Sequence, residues 1–106
     1  MSNPATQEDA DEASSTASVL LVDDEPNVLK SLNRLLRRRG YVVHMCTCPE
    51  QALKLLEQLD PKVIVSDYRM PQMNGVEFLH RARQLRPRAM RILLSGQADR
   101  EVIIEA

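Results

Sequence analysis

Asp23 and Asp24 follow the apolar run Val19-Leu20-Leu21-Val22, Asp67 stands just past Val63-Ile64-Val65, and Ser95 just past Met90 to Leu94. One acid in such a place is ordinarily a turn residue or the N-cap of the next helix. Three that meet are a different matter. Clustered carboxylates repel, and the relief is either a raised pKa or a bound cation. A hard, oxygen-only donor set suits Mg²⁺ or Mn²⁺, with waters completing an octahedron.

Whether these residues meet depends on the elements that carry them. Val19 to Val22 and Val63 to Val65 are short aliphatic runs without polar alternation, the pattern of strands buried on both faces. Tyr41 to Cys46 and Met90 to Leu94 supply two more strands. Between them the period changes. Val28, Leu32, Leu35 and Leu36 recur at helical spacing behind Pro26, so 26–39 reads as an amphipathic helix, ended by Gly40 as a left-handed cap. Ala52, Leu53, Leu56 and Leu59 form one face of a second helix opened by Pro49 and stopped at Asp60-Pro61. Asn74-Gly75 starts a third that runs through Leu85, and Ala98 onward begins a fourth. Alternating strands and helices predict a doubly wound α/β fold with a parallel sheet. In such sheets ligands bind outside the C-terminal strand ends, which is where Asp23, Asp24, Asp67 and Ser95 fall.

Composition narrows the function. The chain has 106 residues, enough for one domain, with 27% charged and 43% hydrophobic residues and a formal net charge of −1. No global field points to nucleic acid or membrane, and one Phe, two Tyr and no Trp make a stacking platform for bases improbable. Only Gly40, Gly75 and Gly96 are glycines, which excludes Gly-rich nucleotide loops. No apolar run approaches a membrane span and no secretory leader pattern opens the chain, so a cytoplasmic setting with Cys46 and Cys48 reduced is expected. Residues 1–17 hold Glu8, Asp9, Asp11 and Glu12, no Lys or Arg and no large aliphatic residue after Met1. They read as a disordered acidic tail, with the folded unit over 18–106.

With these residues in view, Val19-Leu20-Leu21-Val22-Asp23-Asp24-Glu25 and Ser66-Asp67-Tyr68-Arg69-Met70-Pro71-Gln72-Met73-Asn74-Gly75 resemble the receiver domain of two-component response regulators. The resemblance runs from about Ser18 to the end. It implies a flavodoxin-like sheet in the order 2-1-3-4, with the fifth strand and helix of the family absent from this sequence. It implies that Asp67 takes a phosphoryl group from a sensor histidine kinase or phosphotransfer protein and so switches a downstream output. Asp24, Asp67 and the Arg69 backbone carbonyl would ligate Mg²⁺, with Asp23 acting partly through water. Ser95 would hydrogen-bond the phosphoryl group, Pro71 and Gly75 would shape the loop, and Arg69 and Gln97 would tune hydrolysis. Such a domain is a switch and not an enzyme, and it makes no direct contact with nucleic acid or membrane.

The family's fifth strand supplies a phosphate-pairing Lys, and Lys62 lies at the wrong end of its strand to replace it. Without that strand Met90 to Leu94 would be an open apolar edge, from which dimerisation, element exchange or association is expected. Two rival functions are weighed. A receiver-like module that no longer accepts phosphate would not need Asp23, Asp24, Asp67 and Ser95 together. A haloacid-dehalogenase-like phosphatase wants a second Asp two residues after the nucleophile, where Arg69 stands. His44, Cys46 and Cys48 alternate and could face one way as soft metal ligands, but a small buried Cys46 and a loop Cys48 is the plainer reading.

Overall fold

The computed structural model describes residues 17–94 and the backbone of 102–105. All but Ala17 of the expected acidic tail lies outside the described residues, as do Ser95, Gly96 and Gln97. The elements in chain order are β1 (Ser18–Val22), α1 (Pro26–Arg38), β2 (Val42–Cys46), α2 (Pro49–Leu56), β3 (Val63–Asp67), α3 (Gly75–Leu85), β4 (Met90–Leu94) and β5 (Val102–Glu105). They form one sheet in the order β2-β1-β3-β4-β5. The first four strands are parallel in the expected order.

Parallel strands need helical crossovers, and those crossovers cover both sheet faces. Val19, Leu21 and Val43 pack on one face beneath Leu29 of α1, with Leu32 and Leu36 alongside. On the other face Leu20, Val22, Ile64 and Leu93 meet Ala52 and Leu56 of α2 and Phe78, Leu79 and Ala82 of α3. Alternate residues of β1 therefore serve opposite layers, and all of Val19 to Val22 is buried.

α1 ends as expected of Gly40, whose φ is +92°. The Gly40 N–H donates to the Arg37 carbonyl (3.0 Å) and the Tyr41 N–H to the Leu36 carbonyl (3.2 Å), the paired bonds of a Schellman cap. α2 stops at Leu56, short of Leu59, and its end is closed from a distance. The Arg86 guanidinium, just past α3, donates from Nε to the carbonyls of Leu56 (3.0 Å) and Leu59 (2.8 Å). The Leu56 carbonyl is one that a helix end otherwise leaves without a partner. The accompanying Arg86–Asp60 contact is long, at 4.0 Å, and Asp60 is exposed, so it adds little.

One expectation is corrected. The stretch from Ala98 does not carry a fourth helix through its end: Val102–Glu105 is a strand, antiparallel to β4, pairing Leu94 with Val102 and Arg91 with Glu105. Val102, Ile103 and Ile104 are β-branched and favour a pleated backbone. The interval from Leu94 to Val102 is also shorter than the dozen or so residues a parallel crossover requires, so the return can only be antiparallel. β4 is thus not an edge, and the expected self-association loses that ground.

The Arg86 bonds generate a prediction. Arg86→Ala should lower the urea midpoint by about 1 to 2 kcal/mol of stability with the slope unchanged, since hydrogen bonds from a charged donor to carbonyls are lost. Unchanged unfolding would show that water serves those carbonyls equally well.

Candidate functional site

The register brings the acids together. Val22 of β1 lies opposite Ser66 of β3, so Asp23 and Asp67 are the next residues on adjacent parallel strands, which run about 4.8 Å apart. Asp24 follows in the turn into α1. One carboxylate oxygen from each of Asp23, Asp24 and Asp67 lies within 4.8 Å of the others. Among the described residues this is the group of His, Cys, Asp and Glu able to hold a metal ion. His44, Cys46 and Cys48 do not form one. The Cys46 thiol is buried and donates to the Cys48 carbonyl (3.1 Å), in line with the plainer reading.

The three acids differ in setting. Asp23 is only 4% exposed, and its Oδ1 accepts the Glu25 N–H at 2.9 Å. Burial pushes its carboxyl up from 3.8 to about 6; the Glu25 N–H opposes the rise, while the Asp67, Asp24 and Glu25 carboxylates add to it. Asp24 is exposed and Asp67 half-buried. Asp24 lines a shallow opening of about 360 Å³ with Tyr68, Arg69, Met70, Pro71 and Asn74. A larger cavity of about 690 Å³, between α1, β2 and α2, holds none of the three acids and is set apart from this chemistry.

The loop after Asp67 is held from several directions. Tyr68 N–H donates to the Leu94 carbonyl (3.0 Å), Gly75 N–H donates to the Tyr68 carbonyl (2.8 Å), and Met70 and Met73 are buried in the core. Gly75 returns so close to β3 that a methyl built on it would overlap the Asp67 carbonyl oxygen and lie 2.7 Å from Leu93 Cδ1. The need for glycine here is steric, from close approach of two backbones. Asn74 caps α3 by accepting the Glu77 N–H (2.9 Å), and Glu77 pairs with Arg81 (2.9 Å).

Of the sequence-predicted residues, the structure brings together Asp23, Asp24 and Asp67, with Arg69 and Pro71 at the opening and Gly75 behind Asp67. Ser95 and Gln97 lie outside the described residues; Leu94, which precedes Ser95, is the register partner of Asp67. Sequence reasoning missed the Asn74 cap, whose signal was Glu77 three residues on. It also missed the Glu25 N–H on Asp23, which no spacing rule announces.

The donor set fits a divalent cation. It is all oxygen, open on the Asp24 side, and carries negative charge that only the Glu25 N–H offsets among the contacts seen. Asp23 and Asp67 are held by adjacent strands, so an ion could be met by a rigid pair and completed by the exposed Asp24.

Comparison with known proteins agrees. The family model for the response regulator receiver domain matches residues 19–106. The sensor kinase CckA of Brucella abortus is 39% identical over 94 residues, which are 87% of this chain and 10% of that protein. A solved CheY-like receiver domain from Methanospirillum hungatei superimposes with a TM-score of 0.75 at 30% identity, covering 80% of this chain and 68% of the other. The Thermotoga maritima response regulator TrrA, solved in complex with Mg²⁺-BeF, gives 0.73 at 30% identity over 78% of this chain and 72% of that one. The chain spans less than a fifth of the length of the first curated relatives it matches. Among the described residues no helix is long and apolar enough to cross a membrane.

The raised pKa of Asp23 makes a prediction for the metal-free chain. Its folded value lies above its unfolded one, so the folded chain keeps a proton that the unfolded chain has lost. Stability therefore falls as pH rises from 3.8 through about 6 and stays reduced above. Asp23→Asn keeps an acceptor for Glu25 and removes the charge. With chelator present it should stabilise the chain by on the order of 2 kcal/mol near pH 7.5 and by little near pH 4. Equal melting shifts at both pH values would contradict this origin.

Proposed function

The chain belongs to the response regulator receiver domain family, and from that premise we propose that Asp67 is its phosphoacceptor. Receiver domains are the signalling switches of two-component systems, generally phosphorylated on aspartate and generally not enzymes. The observation that carries the reading is the convergence of Asp23, Asp24 and Asp67 at one strand edge. Asp67 ends β3 next to Tyr68 and Arg69, which line the opening, and the loop that follows is fixed by buried methionines.

In this reading the partner is a sensor histidine kinase or a phosphotransfer protein, and the reaction takes place in the cytoplasm. An Asp67 carboxylate oxygen attacks the phosphorus of the partner's phosphohistidine. A P–O bond forms, the P–N bond breaks, and the imidazole nitrogen leaves with its electron pair. Asp24, Asp67 and the Arg69 carbonyl would hold Mg²⁺ (Mn²⁺ would serve), with Asp23 contributing through water. When bound, the ion neutralises charge on the transferring phosphoryl oxygens. The Glu25 N–H orients the Asp23 carboxyl. Ser95 hydrogen-bonds the phosphoryl group once it is in place. Pro71 and Gly75 keep the loop close to Asp67. Arg69 and Gln97 flank the approach of the hydrolytic water and set how long the acyl phosphate lasts. The product switches whatever output module is attached.

Two measurements test the assignment. Acetyl phosphate with Mg²⁺ should add one phosphoryl group by intact mass; chelator or Asp67→Asn should abolish it, and persistent labelling of that variant would remove Asp67 from the role. In calorimetric Mg²⁺ titrations, Asp24→Ala should weaken binding more than Asp23→Ala, because Asp24 is the acid facing the opening. The reverse order would make Asp23 the direct ligand.

A further inference from the structure

Among the described residues, the stripe formed by Lys30, Arg34, Arg37 and Arg38 on α1 meets no carboxylate. These residues stand at i, i+4, i+7 and i+8, so they share one helix face, where like charges repel. All four are exposed, and α1 contains no acid. Together with Asn33 they line an open depression of about 520 Å³. Among the described residues no carboxylate pairs with any of them; the ion pairs involve Arg81 and Arg86. Arg37 is held in place, its Nε donating to Asn33 Oδ1 (2.7 Å) and its Nη2 to the Val43 carbonyl (3.3 Å).

The same chain carries a matching anion. Residues 1–17 contain Glu8, Asp9, Asp11 and Glu12 and no cation. Their point of attachment is adjacent to the stripe. The Ala17 carbonyl accepts the Val42 N–H (3.0 Å), and Val42 lies just past the Gly40 turn that ends α1. Ser18 pairs with Val42 and Val19 with Val43, whose carbonyl takes Arg37. From Ala17, the step back to Glu12 spans up to ~17 Å at ~3.4 Å per residue. Arg38 to Lys30 covers only ~12 Å of helix.

We propose that the acidic segment Glu8–Glu12 docks along the Lys30/Arg34/Arg37/Arg38 face of α1. The inference stands apart from phosphorylation of Asp67. Exposed ion pairs are individually weak. The tether raises the segment's effective concentration to roughly the millimolar range, which favours a salt-labile association of many pairings over one fixed geometry. Docked in this way, the segment neutralises the helix face and screens it from other polyanions.

The test compares amide and arginine Nε NMR shifts of the full chain with those of a variant carrying Glu8→Gln, Asp9→Asn, Asp11→Asn and Glu12→Gln. Near 20 mM salt, differences should centre on Lys30 to Arg39. They should largely vanish near 0.5 M, where the screening length has shrunk from about 20 Å to about 4 Å. In a chain bearing Arg34→Gln and Arg38→Gln, the same tail substitutions should lose most of their effect on α1. Differences confined to the tail's root at Ala17 to Leu20, or an effect on α1 undiminished by salt or by the arginine substitutions, would overturn the proposal.

Discussion

Repulsion among three carboxylates is the constraint around which the rest of this structure is arranged. Two unit charges at 4.8 Å, the limit within which the Asp23, Asp24 and Asp67 oxygens fall, repel by roughly 3 to 4 kcal/mol at an effective dielectric of ~20. The chain tolerates this because the acids are carried on β1 and β3, whose pairing is set by aliphatic residues buried on both faces. Shifting the register to separate Asp23 from Asp67 would move Leu20, Val22 and Ile64 out of one core layer. The strain is met locally instead. Pro26 starts α1 immediately after the acids, so the positive end of its dipole lies beside them, and the Glu25 N–H is aimed at Asp23.

The same economy governs the loop behind Asp67. Its polar and exposed members, Tyr68, Arg69 and Pro71, face the opening, while Met70 and Met73 reach into the core. With Gly75 against the Asp67 backbone and Asn74 capping α3, the loop has fixed points at both ends and in its middle. The Asp67 carboxylate is thereby held in place by packing outside its own strand, as preorganised sites require. Unbranched methionine suits this use, because it fills irregular gaps beneath a loop whose outline is set by chemistry.

Much of this could be read from residue types alone, for identifiable reasons. β1 is buried almost throughout and leaves an uninterrupted aliphatic run, β3 and β4 carry shorter ones, and Asp23 and Asp67 at the ends of β1 and β3 mark the sheet edge. α1 is bounded by Pro26 and Gly40, two residues whose backbone preferences act locally. What escaped was decided at long range. Leu59 keeps the helical spacing of α2, yet the helix ends at Leu56. The stretch from Ala98 reads as the start of a helix, yet Val102–Glu105 pairs with β4, because pairing with a neighbouring strand outweighs local spacing. The state of Asp23 depends on burial by elements distant in sequence. Gly75 was legible as a loop residue, but its reason, the Asp67 carbonyl in the space a side chain would fill, exists only in three dimensions.

The Arg86 guanidinium that closes α2 also bears on how the chain acquires its shape. A helix of eight residues has no persistence of its own, since nucleation costs more than so few bonds return. The carbonyls of Leu56 and Leu59 find their donor 30 and 27 residues downstream, and only when the end of α3 has arrived. The face that Ala52 and Leu56 bury is completed by Phe78, Leu79 and Ala82. α2 is therefore contingent on α3, whereas the C-terminal end of α1 is closed by its own flank at Gly40 and Tyr41. Met70 and Met73 of the loop after Asp67 sit in the layer that α2 and α3 complete, so the order of that loop follows theirs.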